Sequence, residues 1–315
     1  MRPHATRPPG PGLPEALVWS LGLLLSQAAC ALSVAALVLA CAGGWPSTQA
    51  EWGEAINGLL EPPYPAILIG SGALLPAAIG LPLVIARVGR GWRDKLGMGP
   101  ARADLTVLAF GATVPLIVVS AGVHDWAAGV WAVLAAGDAQ LAAVPVESAM
   151  GVVRGQFAGG SLWLLVATVA LGPSLLEEFV FRGLIGRGLT ARWGTAAGVA
   201  MTTGLFAAVH LSPPHAAAVV PLGLFLHVAY LATRSLKTVI GLHFAHNLFA
   251  AAAARWGLGA GLEVAAPLMW ISAGAVVGIA GLLWQNRVGR AERRTEALAG
   301  TAVGGFTVLF VAAAV

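Results

Sequence analysis

Residues 161–186 read SLWLLVATVALGPSLLEEFVFRGLIG. The first sixteen positions carry no charge, and the run as a whole is long enough to cross a bilayer as a helix, which takes about 20 apolar residues. Glu177, Glu178 and Arg182 interrupt it. Carboxylates are expensive in hydrocarbon, so an acidic pair retained there points to function. Two further polar clusters follow, Phe206-Ala-Ala-Val-His210 and His243-Phe-Ala-His246-Asn247. The three sets are expected to converge on one water-activating site within the membrane.

The rest of the chain fits that setting. Of its 315 residues 58% are hydrophobic and 10% charged, against roughly 25% charged in soluble domains. Apolar passes are expected at 15–44, 64–88, 104–123, 161–190, 194–211, 215–233, 238–254, 264–285 and 300–315. The fold class is therefore all-α, a polytopic transmembrane helical bundle of eight to nine passes forming one integral membrane domain over 1–315. Helices are required because an open sheet leaves backbone groups unsatisfied in lipid. The catalytic core is placed at 161–254. Segment 124–160, with His124, Asp125, Asp138, Glu147 and Arg154, is more polar and is expected to be a non-cytoplasmic insertion, a loop with a surface helix. The apolar stretch near the N-terminus runs past the 7–15 residues of a signal-peptide core, so it is expected to stay as a first span. Cys30 and Cys41 lack metal-ligand spacing and are expected to serve packing.

The net charge of +4 and pI of 9.7 raise the question of nucleic acid. No basic patch with interleaved aromatics accompanies them, and the basic residues sit between apolar spans. With a cytoplasmic N-terminus, 16 of the 18 Lys and Arg residues fall on the inner side and only Arg154 and Arg255 outside. That asymmetry is the positive-inside pattern. The expected location is the bacterial cytoplasmic (plasma) membrane, with the lipid bilayer as partner and no nucleic acid.

Chemistry is read from spacing. Glu178 and Arg182, four apart, share a helix face and can form an ion pair. Glu177 points about 100° away and lacks that partner, which suits a general base or acid. His210 lies about 17 residues after the turn near Gly194 and Glu177 about 15 before it, so an antiparallel helix pair would bring them to similar depth at roughly 1.5 Å per residue. Phe206 is one turn before His210 on the same face. His243 and Asn247 share a face and could donate hydrogen bonds to an oxyanion; they could equally hold a metal or join helices. Counted from Lys237, His243 is expected about 9 Å from the inner boundary, shallower than the other two. His227 reads as a helix–helix hydrogen bonder, and His4, His124 and His215 as solvated. Pro173 is expected to kink its helix and open backbone groups toward the site. No His-Glu-x-x-His zinc helix occurs.

At these motifs the chain resembles the CAAX protease and bacteriocin-processing family of intramembrane proteases, which includes the Ras-converting CAAX endopeptidases. Glu177-Glu178-x-x-x-Arg182, Phe206-x-x-x-His210 and His243-x-x-x-Asn247 occur in order over roughly 161–254. The resemblance implies peptide-bond hydrolysis of membrane-associated or prenylated-type substrates, in which Glu177 and His210 activate water while His243 and Asn247 stabilise the oxyanion. Glu178, Arg182 and Phe206 then support the site. This mechanism requires no cofactor, and zinc stays open because members are commonly labelled metalloproteases. Two other classes compete: an ion- or proton-coupled transporter using the same charges as a relay, and a non-catalytic membrane scaffold or immunity factor.

Overall fold

A computed structural model describes residues 10–42, 45–59, 61, 64–144, 161–257 and 264–287. Among them every regular element is helical and no strand occurs. The elements are α1 (Leu13–Ala42), α2 (Gln49–Leu59), α3 (Tyr64–Val88), α4 (Trp92–Lys95), α5 (Ala103–Phe110), α6 (Thr113–Ala135), α7 (Ala139–Ala142), α8 (Leu162–Ala208), α9 (Pro213–Thr233), α10 (Leu236–Trp256) and α11 (Ala266–Gln285). Six stretches are long and apolar enough to cross a membrane: Leu13–Cys41, Ile67–Val88, Ala103–Ala135, Leu162–Ala208, Pro213–Thr233 and Ala266–Gln285.

These spans differ from the expected passes in two places. The pass expected at 104–123 runs on to Ala135, carrying His124 and Asp125 inside α6, so the segment set apart at 124–160 begins within a helix; its part from 145 to 160 lies outside the described residues. The passes expected at 161–190 and 194–211 form the two limbs of α8, which part at Gly194 as expected, where a φ of 79° and ψ of 171° are not helical. α10 fills the pass expected at 238–254 but is not among the six, because His243, His246 and Asn247 make it less apolar. The expected pass 300–315 lies outside the described residues. α2 sits in the acidic loop after the first pass. Its start is a capping box: Glu51 N donates to Thr48 Oγ1 at 3.2 Å while the Glu51 carboxylate accepts from Thr48 N at 3.4 Å, and also from Ser47 N at 2.6 Å.

The bundle is built around α8. Its first limb lies between α3 and α10, its second limb packs on α9, and α9 in turn packs on α6 and α11; α1 covers α3 from outside. The share of side chains buried follows that order. In α8 and α9 61% of the most apolar window is buried, whereas the figure is 6% in α1 and 11% in α11. The outer helices thus present Leu17, Leu21, Leu25, Ile271 and Val277 outward, as lipid-facing helices must. At one end of the bundle α1 is clipped to α3 by Arg87, whose Nε and Nη2 donate to the two Glu15 oxygens at 2.6 and 2.9 Å.

The turn from α9 to α10 decides where the site lies. α9 ends on Arg234, which has a left-handed φ of 54°. The next helix starts with Leu236 N donating to the carbonyls of Leu96 and Gly97, both at 3.3 Å. Leu96 and Leu236 are fully buried, whereas Arg234 and Lys237 on either side of the turn are exposed. Gly97 makes the contact feasible. Its φ is +67°, and a Cβ there would collide with the Arg234 carbonyl. Gly97→Ala combines a disfavoured φ with a backbone clash, so it should destabilise the protein by about 1–3 kcal/mol. A lowered thermal-unfolding midpoint in detergent measures this, and an unchanged midpoint contradicts it.

Candidate active site

Two stretches of α8, Val166–Leu171 and Glu178–Gly186, are π-helical. Such widened turns are rare and occur disproportionately where a helix carries function. Glu178 opens the second of them. Its Oε1 accepts from Arg182 Nη1 at 2.8 Å, and both side chains are fully buried. The same oxygen accepts from His243 Nδ1 on α10, also at 2.8 Å; an ionised carboxylate can only accept, so Nδ1 carries the hydrogen. Arg182 reaches onward, donating from Nη2 to the Gly223 carbonyl of α9 at 2.9 Å and lying over the Phe206 ring at 4.5 Å. Glu178 and Arg182 therefore tie together both limbs of α8, α9 and α10.

Glu177 is placed differently. It is 7% exposed, and its ionic contact is with His243, Oε2 to Nε2 at 4.0 Å. That gap exceeds a hydrogen bond and suits one oxygen atom lying between the two groups. The sequence spacing separates the glutamates in just this way: Glu178 goes to Arg182, and Glu177 is left outside the pair.

His210 follows the end of α8. Its Nδ1 is 2.8 Å from the Phe206 carbonyl, which accepts, so Nδ1 holds the hydrogen and Nε2 keeps the lone pair. The Phe206 ring stands edge-on to three neighbours: Phe181 at 5.3 Å, His210 at 5.0 Å and His243 at 6.0 Å between centroids. It separates the two imidazoles and gives each a fixed wall. Asn247 Nδ2 donates to the Val169 carbonyl at 3.3 Å. Val169 lies in the first π-helical stretch, just ahead of Pro173, so this bond joins α10 to the widened turn of α8.

The expected site residues lie in this region, Asn247 through its bond to Val169, but the imidazole in ionic contact with the acidic pair is His243. The expected shallower position of His243 is corrected by its bond to Glu178 and its contact with Glu177. The two depths were counted from separate origins, Lys237 and the turn at Gly194, and because the side chains meet those origins do not lie at one level. Three other histidines also differ from expectation. His227 is 1% exposed and its ring is pressed on Gly186, yet its Nδ1 has no hydrogen-bond partner among the described residues; it serves packing. His215, expected to be solvated, stacks on His210 with centroids 4.9 Å apart. His124 buries its Nε2. The signal for His215 lay in the short Ser212-Pro213-Pro214 turn, which leaves His210 and His215 little room to separate.

Among the described residues no group of three or more His, Cys, Asp and Glu side chains is placed to hold one metal ion. His243 and His210 each keep Nε2 as a possible ligand atom, but with no third ligand side chain placed beside them the described residues do not fit a metal centre.

The fold and site define an all-helical membrane protein with a buried carboxylate–imidazole centre. Residues 159–249 match the family model described as type II CAAX prenyl endopeptidase Rce1-like. The matched segment spans α8, α9 and most of α10, including every residue of the centre, and it supports reading the chain as a membrane protease. Comparison with curated proteins gives no match, and neither does comparison with solved structures.

The buried pair yields a prediction about stability. Arg182→Met leaves Glu178 charged in the interior and should cost about 3–5 kcal/mol. Adding Glu178→Gln removes that charge, so the double variant should lose clearly less than the two single losses combined. Thermal unfolding of the four proteins in detergent measures the coupling; additive losses contradict the ion pair.

Proposed function

We propose that the protein is an intramembrane endopeptidase that hydrolyses peptide bonds of membrane-associated or prenylated-type substrates with an activated water. The observation that carries this reading is the division between two adjacent carboxylates. Glu178 is consumed by Arg182 and His243 at hydrogen-bond distance, while Glu177 makes a looser ionic contact, 4.0 Å from His243 Nε2. A carboxylate with no structural obligation, in a dry site bounded by imidazoles, is the group a hydrolase needs to take a proton from water.

The remaining roles follow from donor and acceptor inventory. Glu177 accepts the proton as the water oxygen attacks the scissile carbonyl carbon. His210 assists through Nε2, the nitrogen left with its lone pair. The proton is then delivered to the leaving nitrogen as the C–N bond breaks. The carbonyl oxygen gains negative charge during attack and needs donors already aimed at it. Asn247 supplies a second amide hydrogen beyond the one given to Val169 O, and His243, when protonated, supplies Nε2–H on the side facing Glu177. Glu178 and Arg182 hold His243 at its angle. Substrate enters as a peptide segment at the membrane; the lipid bilayer is the other partner.

Purified protein in liposomes should cleave a membrane-tethered reporter peptide. His210→Ala should lower turnover by roughly 10²–10⁴-fold and Asn247→Ala by roughly 10²–10³-fold, both with an unchanged unfolding midpoint. Unchanged turnover in His210→Ala would sink the assignment. The proposed mechanism runs on protein groups alone, so prolonged dialysis against a strong chelator should leave the rate within about two-fold, since one kcal/mol already corresponds to about a five-fold change in rate. Loss on dialysis with recovery on adding zinc would replace it with a metal-dependent mechanism.

A further inference from the structure

His210 stands where its own helix gives out. The last regular residue of α8 is Ala208. Val209 N reaches Leu205 O only at 3.4 Å, and His210 N bonds back to Ala207 O at 3.1 Å instead of continuing the α-helical pattern. Helix ends fray because their last turn lacks a full set of backbone bonds. The chain then reverses sharply. Leu211 has a φ of 59°, a left-handed conformation that a residue with a Cβ adopts only at a cost. Ser212 N donates to the His210 carbonyl at 2.6 Å, and α9 opens at once on Pro213 and Pro214, with Ala216 N closing its first turn on Ser212 O at 2.8 Å. The reversal packs the His215 ring on the His210 ring, centroids 4.9 Å apart and planes tilted by 56°. Leu211 is itself 66% exposed, so the strained turn buries little at its own apex. What it secures is the meeting of the two rings.

We propose that His215 is a positioning residue whose ring fixes the plane of the His210 imidazole, and with it the direction of His210 Nε2. The inference rests on the endopeptidase reading for what His210 does. The Phe206 carbonyl holds one corner of the His210 ring, through Nδ1 at 2.8 Å. A planar ring held at a single atom can still tilt about that bond, so its faces and edges need neighbours. Two aromatic rings supply them, Phe206 at 5.0 Å and 68° and His215 at 4.9 Å and 56°. They differ in what carries them. Phe206 sits in the same last turn of α8 and moves with it. His215 belongs to the first turn of α9, which is seated through the buried Pro214, Ala218 and Val219, so it ties the imidazole to a second helix. No proton passes between the two rings: Nδ1 of His210 stays on the Phe206 carbonyl, and Nε2 stays free for the reaction. His215 lies outside Phe206-x-x-x-His210 and the other two motifs, and only the turn brings it to the site.

The test removes the ring and then restores it. In the reporter-cleavage assay His215→Ala should lower kcat by about ten- to 100-fold with KM unchanged, the scale on which small misplacements of a reacting group act. His215→Phe should recover most of that loss. Should alanine unfold the protein, His215→Leu fills the volume without a flat ring and carries the same expectation. Wild-type kcat in the ringless variant overturns the proposal. So does a loss confined to KM, which puts His215 against substrate, and so does a phenylalanine variant as slow as the ringless one, which assigns the effect to the imidazole nitrogens. If the wild-type protein shows no cleavage, the endopeptidase reading fails on its own, and the ring is read without turnover. Solid-state NMR of protein in liposomes, labelled at histidine, reports the His210 ring, its signal assigned by its loss in His210→Ala. Wild type and His215→Phe should show a rigid ring with hydrogen on Nδ1, and the ringless variant a mobile one. Equal rigidity in all three overturns the proposal.

Discussion

The ion pair between Glu178 and Arg182 is the constraint on which the rest of this structure depends. A charge buried without a partner costs several kcal/mol, and in a chain that is 58% hydrophobic little solvent is at hand to relieve it. The pair is therefore held from four directions. The Gly223 carbonyl anchors Arg182 to α9, the Phe206 face covers the guanidinium, His243 takes the second bond to the Glu178 oxygen, and the π-helical turn of α8 carries both charges. Each of these contacts also fixes a piece of the proposed site. Packing and chemistry share one network, in which the neighbour of the paired carboxylate is the one that stays available.

Backbone devices place the other groups. Asn247 ties α10 to the widened turn of α8 through the Val169 carbonyl. Gly97 lets the α9–α10 turn close against the Leu96 and Gly97 carbonyls. Leu211 accepts a strained φ, and His215 is thereby stacked on His210. None of these is a site in itself. Each sets the angle or depth of a polar side chain within helices that would otherwise vary freely.

Much of this was legible in the residues. The apolar runs give an all-helical membrane bundle, and i, i+4 spacing pairs Glu178 with Arg182 and leaves Glu177 apart. The order of the three motifs, within the segment matched by the Rce1-like family, locates the centre. What was not legible depends on where helices begin and how they wind. Depth counted along ideal helices misplaced His243 relative to the glutamates, because the counts ran from two turns, Lys237 and Gly194, that do not lie at one level. Hydropathy could not end the third pass at the right residue, since His124 and Asp125 sit inside a helix that continues to Ala135. The pairing of His215 with His210 needed the turn geometry, which proline spacing hints at but does not fix.

The central claim is that two adjacent glutamates have separate duties, one structural and one chemical. Comparing Glu177→Gln with Glu178→Gln in a single preparation, by thermal unfolding and reporter cleavage together, tests it most directly. The account predicts that the amide at 177 abolishes cleavage at an unchanged midpoint, whereas the amide at 178 lowers the midpoint. Retained cleavage in the first variant, or equal midpoints in both, would contradict it.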